Sequence, residues 1–429
     1  MRKFIESSLA NAARAVIAKE KPEIIGVTGS VGKSSAKEAV SAVLGKRFRI
    51  RHSPKNFNTE IGLPLSVLNL PTGGKSTLAW VGVLWNAWKI KAFGAKDFPK
   101  MLVLEYGLTH PGDIAYLCDI ASPLIGVETS VGESHLEFMG TVEEIAKEKR
   151  VLVERLPKNG FAVLNRDDER VWAMRNKTKA TVMSYGFHEE AGVRALPESL
   201  AYMCAIDHEC GMRFKMSAAG ATVPVFVPNV LGKHGMYAVL AAAAVGLVKG
   251  MNLIEIADAL SLYRAPSGRL RYVPGIKHTV IIDDTYNSAP KSALAALEVL
   301  RDLPVPEGAK RIAVLGDMLE LGSATAEGHA AVGKKAAECA DLIVLAGERM
   351  HEAEIAAKQA GVGDERIFHF GSADEAGRFV QEKMKMGDFV LVKGSQGMRM
   401  ERVVKEIMAE PLDAPTLLVR QDREWLDAP

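Results

Sequence analysis

The chain has 429 residues, 48% apolar and 25% charged, which suits a soluble globular protein of two or three domains with sizeable cores. Its 54 basic and 52 acidic side chains leave a net charge of +2, so no long-range field selects nucleic acid or an acidic surface as partner. Cys118, Cys204, Cys210 and Cys339 form neither a C-x-x-C pair nor a zinc spacing, and free thiols in a reducing cytoplasm are the expectation.

Residues 1–22 carry charges throughout and read as a short amphipathic helix rather than a signal peptide. Next, the apolar strand Ile24-Ile25-Gly26-Val27-Thr28 runs into Gly29-Ser30-Val31-Gly32-Lys33-Ser34-Ser35, which opens a helix through Val40. A strand, a glycine-bearing turn and a helix in that order make a phosphate-binding loop. Gly29 and Gly32 let backbone N–H groups curl toward an anion, and the helix N-terminus adds partial positive charge. Lys33 is placed to reach the β- and γ-phosphates, and the Ser34 hydroxyl to sit on Mg²⁺. The strict pattern has glycine where this chain has Val27. An ordinary βα turn with a surface lysine is the bland alternative; the joint presence of strand, both glycines, Gly-Lys and the serine pair points to a nucleoside triphosphate.

A short strand is expected at Phe48-Arg49-Ile50, followed by the polar loop Asn56 to Pro64, where Asn58 and Thr59 are candidate substrate-binding residues. Leu78 to Trp88, with Trp80, Trp85 and Trp88, is the most apolar segment and is too short to span a bilayer. Two readings stand for it: an interfacial helix touching membrane, or an aromatic helix packed on the domain or a partner subunit, the commoner fate of apolar helical stripes. Strand Met101 to Glu105 ends in an acid at the edge where ligands gather in open α/β sheets. Glu105 is therefore either a Mg²⁺ holder or a solvated strand-end glutamate. A further βα unit runs from Pro123 to Thr129 and on to His135, and Thr141 with Glu144 starts the helix bearing Lys147 and Lys149 as a capping box. Strand Phe161–Asn165 leads to Asp167 and Asp168, and alternating runs over about 180–228 suggest a small β-rich insertion.

Pro266, Ser267 and Gly268 mark the boundary between a central domain, 23–264, and a second one, 265–429. In the second, strands at Thr279, Arg311, Asp341, Arg366 and Phe389 alternate with helices. The fold class is thus α/β: a P-loop ATPase domain with a parallel sheet, plus a smaller Rossmann-like C-terminal α/β domain. From Pro411 an extended tail is expected.

These stretches resemble the Mur ligases, ATP-dependent amide-forming enzymes of peptidoglycan precursor synthesis. The matching segments, in family order, are Gly26–Ser35, Asn56–Pro64, Glu105–Ile114, His135–Glu137, Asn165–Asp168, Gly268-Arg269, Asp283–Pro290, Val314–Gly322 and Lys393–Glu401. They are most similar to the members that add D-alanyl-D-alanine to a UDP-muramoyl tripeptide. The resemblance implies an acyl phosphate formed from a carboxylate and ATP, then attack by an amine. It implies that Gly29, Ser30, Gly32, Lys33, Ser34 and Ser35 hold ATP, with two Mg²⁺ sites built from Ser34, Glu105, His135 and a carbamylated Lys149; Lys147 serves if the alignment slips by two. Arg269, Asp284, Tyr286 and Asn287 would face the nucleotide, and Lys393 and Ser395 the incoming amino acid or dipeptide.

The chain departs from the family at Ala238, Ala289 and Gln396, positions where the family carries asparagine, asparagine and arginine. With the phosphate loop starting near residue 26, the family's N-terminal UDP-gripping domain is expected to be missing, and the carrier is expected to be held differently or by a protein partner. Two alternatives to cell-wall ligation are the same chemistry on a non-peptidoglycan substrate, such as a pseudomurein-type or poly-amino-acid product, and a non-ligating ATP-binding scaffold. A cytoplasmic protein without a transmembrane segment or nucleic-acid partner is expected in each case.

Overall fold

The computed structural model describes residues 1–54, 57–95, 97–132, 139–204 and 209–426. The chain divides into two compact units. The first comprises Met1–Leu200, Phe214–Phe226 and His234–Tyr263; the second comprises Ala201–Arg213, Val227–Lys233 and Arg264–Pro429.

Helix α1 (Arg2–Glu20) buries Ile5, Leu9, Ala12, Ala13 and Val16 at helical spacing. It stops where Lys21 turns left-handed, at φ 49°, and Pro22 follows without an N–H. Then come β1 (Glu23–Thr28), α2 (Lys33–Gly45), β2 (Ile50–His52), α3 (Gly62–Leu68), α4 (Thr77–Phe93), β3 (Met101–Glu105), α5 (Asp113–Ile120), β4 (Ile125–Glu128), α6 (Val142–Glu154) and β5 (Phe161–Asn165). Strands β6 (Thr181–Gly186), β7 (Val193–Ala195), β8 (Ala201–Met203), β9 (Gly211–Ala218) and β10 (Ala221–Pro228) follow. The sheet order is β10-β9-β7-β6-β5-β4-β1-β3-β2, with β8 paired to β9. From β2 to β7 all neighbours are parallel, and β9 runs antiparallel to β7. The strands at residues 180–228 therefore continue this sheet. Strand β1 sits between β3 and β4, where the winding reverses, and that reversal leaves a crevice at the carboxyl ends.

In the second unit the order is β11 (Arg271–Gly275), β12 (Thr279–Asp284), β16 (Phe389–Lys393), β13 (Arg311–Gly316), β14 (Leu342–Ala346) and β15 (Ile367–Phe370). All are parallel except β11. Val280 and Ile282 pack into one core layer and Ile281 into another, so the sheet is covered on both faces.

Three sequence expectations are corrected, and one strand was not foreseen. The strand expected at 48–50 lies at Ile50–His52, because the Phe48 N–H still closes the end of α2 on the Leu44 carbonyl at 2.8 Å. Cys204 and Cys210 are not free thiols but a disulfide, since pairing of Met203 with Gly211 sets the adjoining cysteines side by side; Cys118 and Cys339 are free and buried. The tail from Pro411 is not extended. It forms helical turns at Pro411–Asp413 and Ala414–Leu417 that bury Ala414 and Leu418. Strand β11 escaped notice because Pro274 and Gly275 read as loop, although an edge strand tolerates both. Helix α4 packs on α1 through one side only and leaves Trp85 and Trp88 exposed on the other.

Candidate active site

The loop after β1 leaves no room for a side chain at Gly29. Gly29 has φ 144°, and a Cβ there would fall 1.9 Å from Thr129 Oγ1 and 3.0 Å from the Ser130 nitrogen. Gly32, at φ 88°, caps α2 in the left-handed region. The segment after β4 fixes the turn from outside. The Ser30 N–H donates to the Ser130 carbonyl (2.7 Å), the Val31 N–H to Ser130 Oγ (3.1 Å), and Thr129 Oγ1 to the Val31 carbonyl (2.6 Å). Lys33 folds back, its Nζ donating to the Gly29 carbonyl at 2.7 Å. The Ser35 carbonyl accepts from the Tyr263 hydroxyl at 3.2 Å, tying the first turn of α2 to the end of the unit. A glycine-shaped hollow, a lysine over it and a helix start behind it make an anion cradle.

Two acids stand beside the cradle. In register, Val27 pairs with Glu105 on β3 and Thr28 with Glu128 on β4, so the carboxylates flank the end of β1. Glu105 is buried, accepting from Ser34 Oγ at 3.0 Å through one oxygen and from Asn58 Nδ2 at 2.9 Å through the other. Thr59, beside Asn58, accepts at Oγ1 from the N–H of Gly62, the first residue of α3, at 3.3 Å. Glu128 is fully buried, and neither of its oxygens has a hydrogen-bond partner among the described residues. The same holds for the Lys149 ammonium nitrogen on α6. Burial lowers the Lys149 amine to about 7; Lys33 adds to the fall, while Glu128, Glu148 and Glu105 oppose it. Burial raises the Glu128 carboxyl to about 8 against the pull of Lys149.

Thr141 aims this helix by accepting the Glu144 N–H at its N-cap. Lys147, on the same helix, is exposed and pairs with Glu144 at 3.5 Å, which leaves Lys149 as the lysine turned into the sheet edge. The donor set fits a divalent cation. Ser34 and Glu105 offer the oxygens that Mg²⁺ prefers, and the unmatched Glu128 oxygens and Lys149 nitrogen lie in the same charge cluster. His135 lies outside the described residues. Glu128 was not singled out by the sequence reading, although it ends a buried strand in an acid just as Glu105 does.

In the second unit, Asp283 and Asp284 end β12 and Lys393 ends β16, opposite Asp284 in register. Lys393 Nζ meets Asp284 Oδ2 at 2.6 Å and donates to the Asn287 carbonyl at 2.9 Å. Ser395 Oγ donates to the Ser288 carbonyl and accepts the Leu319 N–H at 2.8 Å. Asp283 accepts from the Gly268 N–H at 3.0 Å and from both the N–H and hydroxyl of Thr285. That grip holds Gly268 at φ 69°, where a Cβ would meet the Tyr286 nitrogen at 2.7 Å, and it presents the Arg269 guanidinium 3.9 Å over the Tyr286 ring. Arg420, from the folded tail, donates to the Thr285 and Tyr286 carbonyls and pairs with buried Glu401. Arg269, Asp284, Tyr286, Asn287, Lys393 and Ser395 are thus brought together within this unit. Arg420 and Glu401 support them and were missed because the tail carries no periodic pattern.

Comparison with known proteins agrees with this geometry. Residues 89–246 match the Mur ligase middle domain, and residues 268–396 match the Mur ligase, glutamate ligase domain. The UDP-N-acetylmuramoyl-tripeptide–D-alanyl-D-alanine ligase of Bacillus subtilis is 30% identical over 95% of this chain and 80% of its own length. The enzyme of that name from Mycobacterium tuberculosis is 32% identical over 94% of this chain and 76% of its own. Among solved structures, the MurF ligase of Thermotoga maritima in complex with ADP superposes with a TM-score of 0.75 at 25% identity, over 94% of this chain and 83% of that one. By sequence, by fold and by the phosphate loop with its flanking acids, the chain belongs to the Mur ligase family.

Proposed function

We propose that this chain is an ATP-dependent ligase that joins D-alanyl-D-alanine to a UDP-muramoyl tripeptide in the cytoplasm. The names of its relatives support the substrates, and one observation in the chain supports the chemistry: the buried Lys149 amine, without a hydrogen-bond partner among the described residues, in the field of Lys33, Glu128 and Glu105. An amine held near neutrality by burial attacks CO₂, forming an N–C bond and losing a proton, and becomes a carbamate. A carbamate supplies the second anionic ligand that an ammonium cannot.

The reaction runs in two displacements. A carboxylate oxygen of the peptide attacks the γ-phosphorus of ATP, and ADP leaves. The amine nitrogen of the dipeptide then attacks the acyl carbon, loses its proton, and phosphate departs. The Gly29–Ser35 loop and Lys33 hold the phosphates. Ser34, Glu105, His135 and carbamylated Lys149 would hold Mg²⁺ at two sites, where it neutralises the crowded oxygens. Asn58 and Thr59 lie at the substrate side. Arg269, Asp284, Tyr286 and Asn287 serve the nucleotide, and Lys393 and Ser395 serve the incoming dipeptide. Gln396, in place of the family's arginine, favours a second reading with a different incoming amine, because a bidentate carboxylate clamp is lost there.

ADP release in the presence of ATP and Mg²⁺, with UDP-muramoyl tripeptide and D-alanyl-D-alanine each added or omitted, tests this reading. Release that requires both establishes it, and Lys33→Ala abolishes that release. ATP binding without release refutes the substrate assignment and sends the test to other acids and amines.

A further inference from the structure

Helix α4 buries Val83 and Ala87 on the side packed against α1. On the opposite side Leu78, Val81, Trp85 and Trp88, spaced three, four and three residues apart, form one stripe. They are 84%, 61%, 54% and 51% exposed. The two indoles stack with centroids 4.9 Å apart, the Phe93 ring meets Trp88 edge-on, and the Lys89 ammonium lies 5.3 Å from the Trp85 ring centroid. Phe4 of α1 is also exposed, and Met1 and Trp80 line one groove between the starts of α1 and α4. An apolar stripe of this kind on a soluble chain marks a surface that something covers.

Charge selects the occupant. From Ile61 to Lys96 the sequence contains no aspartate or glutamate, while Lys75, Lys89, Lys91 and Lys96 lie in it. The acids that bound this stretch are paired within the unit, Glu60 with Arg2 at 2.6 Å and Asp97 with Arg49 at 3.9 Å, and Glu20 sits beside Gly94 together with Lys19. A second copy of this face related by a two-fold axis along the stripe would set the Lys89 and Lys91 ammonium groups near their own counterparts. A bilayer with anionic headgroups offers both halves of the complement: phosphates for the lysines, and an interfacial layer that favours tryptophan. No helix among the described residues is long and apolar enough to cross a membrane, so the contact is peripheral.

We propose that α4 is an interfacial anchor, its Leu78–Trp88 stripe seated in the headgroup region of an anionic phospholipid bilayer with Lys89 and Lys91 on the lipid phosphates. The anchor holds the first unit on the membrane face by residues that take no part in the phosphate loop.

The test is flotation of the full chain with vesicles of phosphatidylcholine alone and of phosphatidylcholine mixed with phosphatidylglycerol. Binding to the anionic vesicles, weakened by salt and accompanied by a blue shift of tryptophan emission, is expected. Trp85→Gln with Trp88→Gln lowers the partition by roughly tenfold or more, and Lys89→Glu with Lys91→Glu removes the preference for anionic lipid. Both variants keep the far-UV spectrum and ATP binding of the parent. No flotation with either vesicle overturns the proposal, as does flotation unchanged by both double substitutions. A concentration-dependent dimer that the tryptophan variant abolishes, without vesicle binding, assigns the face to a second copy instead. None of these readouts depends on which substrates are ligated.

Discussion

Glu105 and Glu128 flank the end of β1 one residue apart in register, yet only Glu105 is partnered: Ser34 and Asn58 hold both of its oxygens, while Glu128 has no partner among the described residues. A carboxylate buried in that way costs several kcal/mol unless a proton or a cation accompanies it. The buried Lys149 nitrogen lies in its field, and it too has no hydrogen-bond partner among the described residues.

The pair imposes a shape on stability against pH. Glu128 rises from its ordinary 4.5 to about 8 in the fold, so the folded chain binds the extra proton between those values and its stability falls as pH rises through them. Lys149 falls from 10.5 to about 7, so the unfolded chain holds the extra proton and stability rises with pH over that range. The two slopes oppose each other between about pH 7 and 8, so stability is lowest there, having fallen from the acid side and rising again on the basic side. Melting temperatures of the Glu128→Gln variant across pH should lose the falling limb between about 4.5 and 8. A profile superimposable on that of the parent would show that the Glu128 proton is not linked to folding.

Lys149→Ala should reduce ligation by at least roughly a hundredfold, the scale for losing a group that anchors a metal site. If the lysine acts as a carbamate, added acetate or formate restores part of the rate to the alanine variant and none to a Lys33→Ala variant. Glu128→Gln separates the two roles open to its neighbour. Loss of rate with ATP affinity retained places it with the metal-binding carbamate; loss of ATP affinity places it with the phosphate loop.

How far this site was legible in the sequence follows from the length scale of each signal. Gly29, Gly32, Lys33 and Ser34 are contiguous and sit on a strand-turn-helix, so their chemistry could be read locally. Glu105 could be placed because a buried strand ends in it, but that it is buried, with Asn58 and Ser34 on its oxygens, was not legible locally. Glu128 carried the same local signal and went unused because Thr129 and Ser130 extend the segment into what reads as a polar turn. Lys149 could not be told from Lys147 by period alone, since both lie on one charged helix; only the fold shows that Lys149 is buried and Lys147 exposed. The alternation of strands and helices gave the two sheets. Strand β11, the Cys204–Cys210 bridge and the Arg420–Glu401 pair depend on partners distant in sequence or on edge positions, which no local pattern encodes.

Gly29→Ala isolates the shape of the loop from its charge. The added methyl group would sit 1.9 Å from Thr129 Oγ1, and Thr129 is held by the Thr28 and Val31 carbonyls, so it does not swing away without losing hydrogen bonds. The left-handed φ adds strain to the overlap. A loss of about 2 kcal/mol in stability, ATP affinity, or both together is expected. Calorimetric titration with ATP alongside thermal melting measures it, and parent-like values in both would mean the loop has room that the backbone geometry denies.

In the second unit the Lys393–Asp284 pair offers a test that does not touch the phosphate loop. Lys393 is 2% exposed and Asp284 11% at the side chain, and the ammonium also holds the Asn287 carbonyl. Lys393→Met strands Asp284 as an uncompensated buried charge, which costs about 3–5 kcal/mol. The double variant with Asp284→Asn removes that charge, so it should recover much of the loss even though the Asn287 carbonyl still lacks its donor. Denaturant unfolding of the two single variants and the double variant gives the coupling directly. Ligation should separate from stability and from nucleotide binding. If Lys393 faces the incoming dipeptide, the double variant stays slow with D-alanyl-D-alanine even where its ATP affinity, measured alongside, matches that of Asp284→Asn alone and Asp284→Asn alone ligates faster. If the rate of the double variant matches that of the parent, Lys393 is a strut for the turn at Asn287 and the amine is received elsewhere.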